Sequence, residues 1–319
     1  MSDESVNEMQ AALALAIDYH NADDVENASR LYMKVLEQEP TNAAALGMSG
    51  LLCLQNGQVD AALDFLQSAT AADPKEPKHL NHLGAALVQV GQLDDALSAL
   101  RQSVAINEDY FEAHFNLAIA LRAAGDASGA ETAIEKANQL SPKNALILTW
   151  RGRLQFEGGR LQEALESLMQ ATEIDDQSSE ALSALGDVLV EMSDLQMAER
   201  CYREALTISP QSTAIQGRLG SCLSHAGKND AARAEFEAAL QSDPNSSQLW
   251  NGLALILSKM GNDEDALEAA KKSVDLNAES VDGQRTLAQL YESQGDTEKA
   301  MQATERLQVL IAASKAQKL

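Results

Sequence analysis

The sequence repeats itself every 34 residues. The offset holds without insertion or deletion from Met9 to Ser314, which gives nine repeats: 9–42, 43–76, 77–110, 111–144, 145–178, 179–212, 213–246, 247–280 and 281–314. The twentieth position of every repeat is alanine, and the eighth is always glycine or alanine. A segment this short cannot bury its apolar face alone, so tandem repeats stack on one another and share a continuous core.

Each repeat has the pattern of a helical hairpin. Two columns of small residues twelve positions apart indicate two helices whose backbones approach closely. Glycine lies between the columns in seven repeats, where the first helix has to end, and Asp23 and Ser193 take its place in the other two. Aromatic residues make up only 4% of the chain, and so low a share is typical of packed helices rather than of sheets.

The position-specific pattern resembles the tetratricopeptide repeat. The shared features are the small eighth residue, the alanine at position twenty, a large apolar or aromatic residue at position twenty-four (Tyr32, Tyr202 and Phe236) and a proline at position thirty-two in five repeats. Trp250 stands at the fourth position, where the family favours a core tryptophan. The pattern departs at Arg151, in a column that is otherwise mostly leucine, and at three proline positions, Glu108, Asp176 and Ala278.

The resemblance implies an all-α fold, a right-handed α-solenoid (superhelix) of helix-turn-helix hairpins. In that family the first helices line a concave groove and the second helices form the convex back. Residues 1–8 are expected to form a polar N-terminal tail and residues 315–319 a polar C-terminal tail. Apolar residues near the end, Leu307, Leu310 and Ile311, would cap the stack; with Val309 they could alternatively form a dimer seam, but the sequence favours a monomer over a homodimer.

The formal net charge of −24 argues against nucleic acid as a partner, because such affinity comes from Lys and Arg that neutralise phosphates. The N-terminal residues lack the basic and apolar regions of a signal peptide, and no apolar run is long enough for membrane insertion. We therefore expect a cytoplasmic protein. Three cysteines without a paired motif predict small core residues and not a disulfide framework.

Motifs for phosphate, zinc or acyl chemistry are absent from the sequence. The most suggestive set is His79, His82 and His114, of which the first two could share a helix face. No carboxylate or thiol obviously completes that set, so structural or surface histidines are the favoured interpretation. The sequence thus predicts no enzyme, no metal and no cofactor.

Candidate partner-binding residues follow from the groove positions of the family. We select a set of eight: Asn81, Phe115, Asn116, Arg122, Trp150, Arg153, Phe156 and Asp187. Aromatic residues with arginines are typical of binding hot spots, although Trp150 and Phe156 could merely seal the joint between neighbouring repeats. Glu180, Asp187 and Glu191 in the sixth repeat favour a ligand with a basic segment beside an apolar anchor, and the seventh repeat carries the smaller Gly217, Arg218, Ser221 and Ser224.

The sequence predicts a protein-protein interaction scaffold or adaptor that binds a peptide segment or a partner's helix in its concave groove. Family members that bind the C-terminal tails of chaperones use a lysine–asparagine clamp, and this chain lacks it at the matching positions. The repeat arrays of glycosyltransferases carry a ladder of asparagines, which is also missing at the matching positions. Two alternatives remain open: a targeting or regulatory subunit for an enzyme on a separate chain, for example a glycosyltransferase, and a self-assembling array.

Overall fold

The computed structural model describes residues 3–316, and the regular structure of these residues is helical, in nine successive pairs. The first helices of the pairs are α1 (Asp3–Asn21), α3 (Ala43–Gln55), α5 (Pro77–Gln89), α7 (Phe111–Ala123), α9 (Ala145–Glu157), α11 (Ser179–Glu191), α13 (Thr213–His225), α15 (Ser247–Lys259) and α17 (Val281–Ser293). The second helices are α2 (Val25–Gln38), α4 (Val59–Ala72), α6 (Leu93–Ile106), α8 (Ala127–Leu140), α10 (Leu161–Ile174), α12 (Leu195–Ile208), α14 (Asn229–Ser242), α16 (Asp263–Leu276) and α18 (Thr297–Ala316). The fold is an all-α solenoid of helical hairpins, as the repeat pattern predicts.

Helix boundaries follow the repeat. From α3 onward each first helix starts at the first residue of its repeat, where an Asn or Ser side chain often caps it: Asn42 accepts a hydrogen bond from the Ala45 backbone N–H at 3.0 Å. At the other end the chain reverses through a left-handed residue. The seven glycines predicted there have φ between 71° and 84°, and Asp23 and Ser193 have φ of 61° and 62°. Asp23 and Ser193 therefore adopt the same left-handed backbone conformation as the glycines of the other seven repeats.

Ser193→Gly is expected to raise the free energy of unfolding by about 1 kcal/mol, because a side chain at positive φ is strained and glycine is not. Urea unfolding followed by circular dichroism measures the change. The reverse substitution at a matching turn, Gly159→Ser, where φ is 74°, should cost a similar amount. Equal midpoints for the parent and both variants would contradict this account of the turn.

The core between paired helices is built from a small residue facing a large one. A Cβ added at Gly50, Gly84 or Gly152 would lie 2.4–2.6 Å from the leucine at position twenty-four of the same repeat. In the sixth repeat the large partner is Tyr202, whose ring would lie 2.6 Å from a Cβ at Gly186. Alanines at position twenty are fully buried in the first eight repeats. The two small columns thus mark close helix crossings, as predicted.

Polar residues replace the missing leucine of the fifth repeat. Arg151 is half-buried and donates from Nη1 to Ser167 Oγ at 3.3 Å, and Ser167 Oγ donates to the buried Gln155 at 2.7 Å. Ser167 thus gives the arginine head group a hydrogen-bond partner within an otherwise apolar column. Trp250 is half-buried, packs against the core and donates from Nε1 to the Pro244 carbonyl at 2.8 Å.

The termini of the array are also helical. Helix α1 begins at Asp3, so residues 3–8 of the expected polar tail continue the first helix. Helix α18 runs to Ala316, two residues past the last repeat. Residues 1, 2 and 317–319 of the expected tails lie outside the described residues.

The repeat array divides into two compact parts. One comprises residues up to Ile147 and the other begins at Leu148, inside α9. We call them the N-terminal body and the C-terminal body and describe the candidate site of each separately.

Candidate partner-binding face

Asn81 is the buried centre of a polar chain in the N-terminal body. Its Nδ2 donates to the Tyr110 hydroxyl at 3.3 Å, and its Oδ1 accepts from Asn116 Nδ2 at 2.8 Å. Only 2% of Asn81 is exposed, whereas Asn116 is half-buried. Asn81 thus joins consecutive repeats, and Asn116 is the more accessible of the two predicted binding residues.

Phe115 and Arg122 lie on the same helix as Asn116, α7. Phe115 is half-buried and Arg122 is exposed near the helix end. The five aromatic and arginine residues predicted as one hot spot therefore fall in different bodies: these two belong to the N-terminal body, and Trp150, Arg153 and Phe156 belong to the C-terminal body.

The three candidate histidines His79, His82 and His114 all lie in the N-terminal body. His79 packs against Gly47, where an added Cβ would lie 2.4 Å from its ring, and His114 Nε2 lies 2.9 Å from the Glu108 carbonyl. Burial lowers the pKa of His82 to about 4 and also lowers that of His79, so both rings are neutral near pH 7. Among the described residues no group of three potential ligands is arranged to hold a metal ion.

Trp150 and Arg153 form one contact on α9 of the C-terminal body. The guanidinium carbon of Arg153 lies 5.6 Å from the Trp150 ring centroid, in a cation–π arrangement. Arg153 also forms an ion pair with Glu180 of α11, so it joins the first helices of two successive repeats. Both Trp150 and Arg153 are half-buried, and the arrangement is compatible with sealing the joint as well as with contacting a partner.

Asp187 is fixed by two donors. The Tyr202 hydroxyl donates to Asp187 Oδ1 at 2.8 Å, and Arg218 of α13 forms an ion pair with Oδ2. Arg218 donates in addition to Ser183 Oγ at 3.1 Å. Burial raises the pKa of Asp187, an effect that Arg218 and Tyr202 partly offset. This predicted site residue therefore holds an arginine on the first-helix face.

A recess of about 680 Å³ opens on this face in the C-terminal body. Residues of three successive first helices, α11, α13 and α15, provide most of its wall, and Phe156 of α9 contributes to it. Of the predicted residues, Asp187 and Phe156 line the recess. We call this space the recess throughout.

Small residues explain why the space lies at the seventh repeat. Gly217 and Ser221 stand at the fifth and ninth positions of α13 and line the recess with no long side chain of their own. At Gly252 of α15, by contrast, the Phe236 ring fills the space that a side chain would take. The sequence prediction concentrated on aromatic residues of the fourth and fifth repeats and so missed this feature. The sequence does contain a signal for the recess, namely the run of small residues at the groove positions of the seventh repeat.

Solved structures similar to this chain are helical-repeat proteins. The crystal structure of the APC/C hetero-tetramer Cut9-Hcn1 matches with a TM-score of 0.71 at 17% identity, covering 83% of this chain and 52% of that one. This chain thus spans about half the length of that relative. PilF of Pseudomonas aeruginosa matches with a TM-score of 0.57 at 19% identity, covering 68% of this chain and 98% of that one. A thermophilic TPR protein of Thermus thermophilus matches with a TM-score of 0.50 at 26% identity, covering 57% and 98%.

A comparison with curated protein sequences finds no significant match. Within residues 3–316, no helix has the length and apolar character needed to cross a membrane.

Sequence profiles of repeat families match most of the chain. Profiles described as tetratricopeptide repeat match residues 20–86, 121–188, 189–256 and 251–316, and one described as TPR repeat matches residues 84–125. These matches agree with the residue pattern and with the hairpin geometry of the structure. The chain belongs to the tetratricopeptide repeat family.

Proposed function

We propose that this protein is an adaptor that binds a peptide segment or a helix of a partner protein on the face formed by its first helices, with the recess as the principal contact. Tetratricopeptide repeats serve in general as protein-interaction scaffolds and are typically not catalytic. The recess is the observation that carries the proposal. Its volume of about 680 Å³ suits insertion of partner side chains, and its wall is made by several repeats, so a bound segment would contact them together.

Other first-helix residues of each body are candidate contacts of their own. In the C-terminal body, Trp150 and Arg153 lie on α9, which also contributes Phe156 to the recess, and are of the types that dominate protein interfaces. On the N-terminal body, taken by itself, Phe115, Asn116 and Arg122 lie on the first helix α7, and Asn116 donates to Asn81. We propose these residues as secondary contacts.

The formal net charge of −24 supports a protein partner over nucleic acid, because a polyphosphate would be repelled. We further propose a monomeric, cytoplasmic and non-catalytic protein that uses no metal or cofactor.

Selection from a library of phage-displayed random decapeptides, with the full-length chain as bait, tests the proposal. A recovered peptide should bind the Ser221→Trp variant at least about 30-fold more weakly, because the indole fills the recess and removes a central contact. Ser221 is exposed, so the substitution should leave the core intact. Isothermal titration calorimetry measures the affinity, and circular dichroism checks the helical content.

Gln170→Trp is the matched control, since Gln170 is exposed on α10, a second helix of the same body. This variant should bind the peptide within about twofold of the parent. The proposal fails if no peptide is recovered, or if both variants bind as well as the parent.

A further inference from the structure

Helix α1 exposes residues at positions that the other repeats bury. Ala11, at the third position of the first repeat, is exposed, whereas the residue at this position is buried in all eight other repeats. Leu15, at the seventh position, is 45% exposed, while Leu219 at the same position of the seventh repeat is fully buried. First helices pack on the second helix of the preceding repeat, so α1 carries an uncovered half of a repeat–repeat contact. We call Ala11, Leu15 and Asp18 the α1 face.

Helix α18 carries the other half of such a contact. Alanine at the twentieth position is fully buried in the first eight repeats, but Ala300 is only half-buried. The first eight repeats also bury their residue at position twenty-four, where the ninth has the exposed Thr304. Ala300, Thr304 and Met301, which is 61% exposed, help to line a groove of about 410 Å³. We call these three residues and Leu307 the α18 face.

Within the chain, position twenty-seven of one repeat packs against position three of the next. A Cβ added at Gly283, for example, would lie 3.2 Å from the Ser273 hydroxyl oxygen. Position twenty-seven is mostly alanine or serine, but Val35 occupies it in the first repeat, in one cluster with the small Ala45 at position three of the second. Such a junction therefore accepts a large residue at one position when the other is small. Leu307 on the α18 face and Ala11 on the α1 face are a pair of this kind.

The tenth position brings a first helix close to the start of the preceding second helix. Cys222, at this position, donates from Sγ to the carbonyl of Leu195, the first residue of α12. The residue here is apolar and buried in repeats two to nine, but in the first repeat it is the exposed Asp18. An acidic side chain is stabilised beside a helix N-terminus, so Asp18 suits a position next to the start of another helix.

The two helices also differ in charge. Helix α1 is the most acidic helix of the described structure, with a net charge of −4 and neither Lys nor Arg. Helix α18 has three basic and two acidic residues, and its net charge of +1 makes it the only second helix of the nine with a positive charge. Opposite charges favour the meeting of these two helices in a chain whose overall charge is −24.

We propose that the chain associates head to tail with a second copy of itself. The α1 face of one copy packs on the α18 face of the other, as a first helix packs on the preceding repeat within the chain. Ala11 lies against Leu307, Leu15 enters the groove beside Met301, and Asp18 lies at the start of α18. A contact made by one helix on one side is small and therefore weak, so the dilute chain stays the monomer proposed above and copies join as the concentration rises.

Sedimentation velocity of the full-length chain at rising concentration tests this inference, with one variant for each face. Leu15→Glu and Met301→Glu each place a carboxylate in an apolar contact and should weaken self-association at least about 30-fold. Both residues are exposed in the single copy, so the variants should keep the helical content that circular dichroism measures. Met33→Glu and Met169→Glu are the matched controls, exposed on the second helices α2 and α10, and should associate within about twofold of the parent.

Mixing the two face variants distinguishes a head-to-tail contact from a symmetric one. Leu15→Glu keeps an intact α18 face and Met301→Glu keeps an intact α1 face, so a mixture should form a dimer of one copy of each and nothing larger. A symmetric dimer through α18 would instead let Leu15→Glu associate as the parent does, and that result would overturn the inference.

A parent chain that stays monomeric at every concentration, or a mixture that does not dimerise, would also overturn it. The contact does not involve the recess, so Ser221→Trp should self-associate as the parent does. Loss of peptide binding and loss of self-association therefore report separately on the proposed function and on this inference.

Discussion

Replacing Tyr202 with alanine is expected to lower the free energy of unfolding by about 4 kcal/mol, within the range for truncation of a buried aromatic residue. Tyr202 is 2% exposed, and its ring fills the close crossing of α11 and α12 next to Gly186. The substitution leaves a cavity there and removes the hydrogen bond that the Tyr202 hydroxyl donates to Asp187. Urea unfolding followed by circular dichroism measures the loss.

Tyr202→Phe is the matched control because it keeps the ring and removes only the hydroxyl. Since Asp187 retains its ion pair with Arg218, this variant should lose only about 1 kcal/mol. If the alanine and phenylalanine variants were equally stable, the ring could not be the main contact of the crossing.

The second large effect is expected for Gly186→Leu, which should cost about 3 kcal/mol through overpacking. An added Cβ alone would lie 2.6 Å from the Tyr202 ring, so the leucine must displace a side chain that is itself held by Asp187. The measurement is again urea unfolding of the full chain.

Glu191→Leu places the same side chain on the same helix at an exposed position. It should change the free energy of unfolding by less than about 0.5 kcal/mol. Similar losses for the two leucine variants would show that the eighth position is not a close crossing.

The succession of helical hairpins could be predicted because the same physical constraint recurs nine times. Close crossings require a small residue, as at Gly186, and the reversal after each first helix requires positive φ. That requirement persists at Asp23 and Ser193, which adopt the conformation although they are not glycine. A single repeat would not reveal these two requirements, whereas their recurrence in successive repeats does.

The binding face was harder to predict because a repeat pattern identifies which residues share a face but not how neighbouring repeats use them. Asn81 fits a groove position, yet the structure buries it as a link to Tyr110 and Asn116. Tyr202 fits a core position, yet it also lines the recess. Space left by small side chains, as at Gly217, depends on surrounding residues from several helices.

Mapping where a selected peptide lies on the chain tests the central claim most directly. A decapeptide recovered from the library and carrying one photoreactive residue can be crosslinked to the full-length chain, and mass spectrometry then identifies the attachment points. The proposed function predicts crosslinks to first helices around the recess, at residues of α11, α13 and α15 such as Ser221 and Leu255. Crosslinks confined to the second helices α12, α14 and α16 would contradict it.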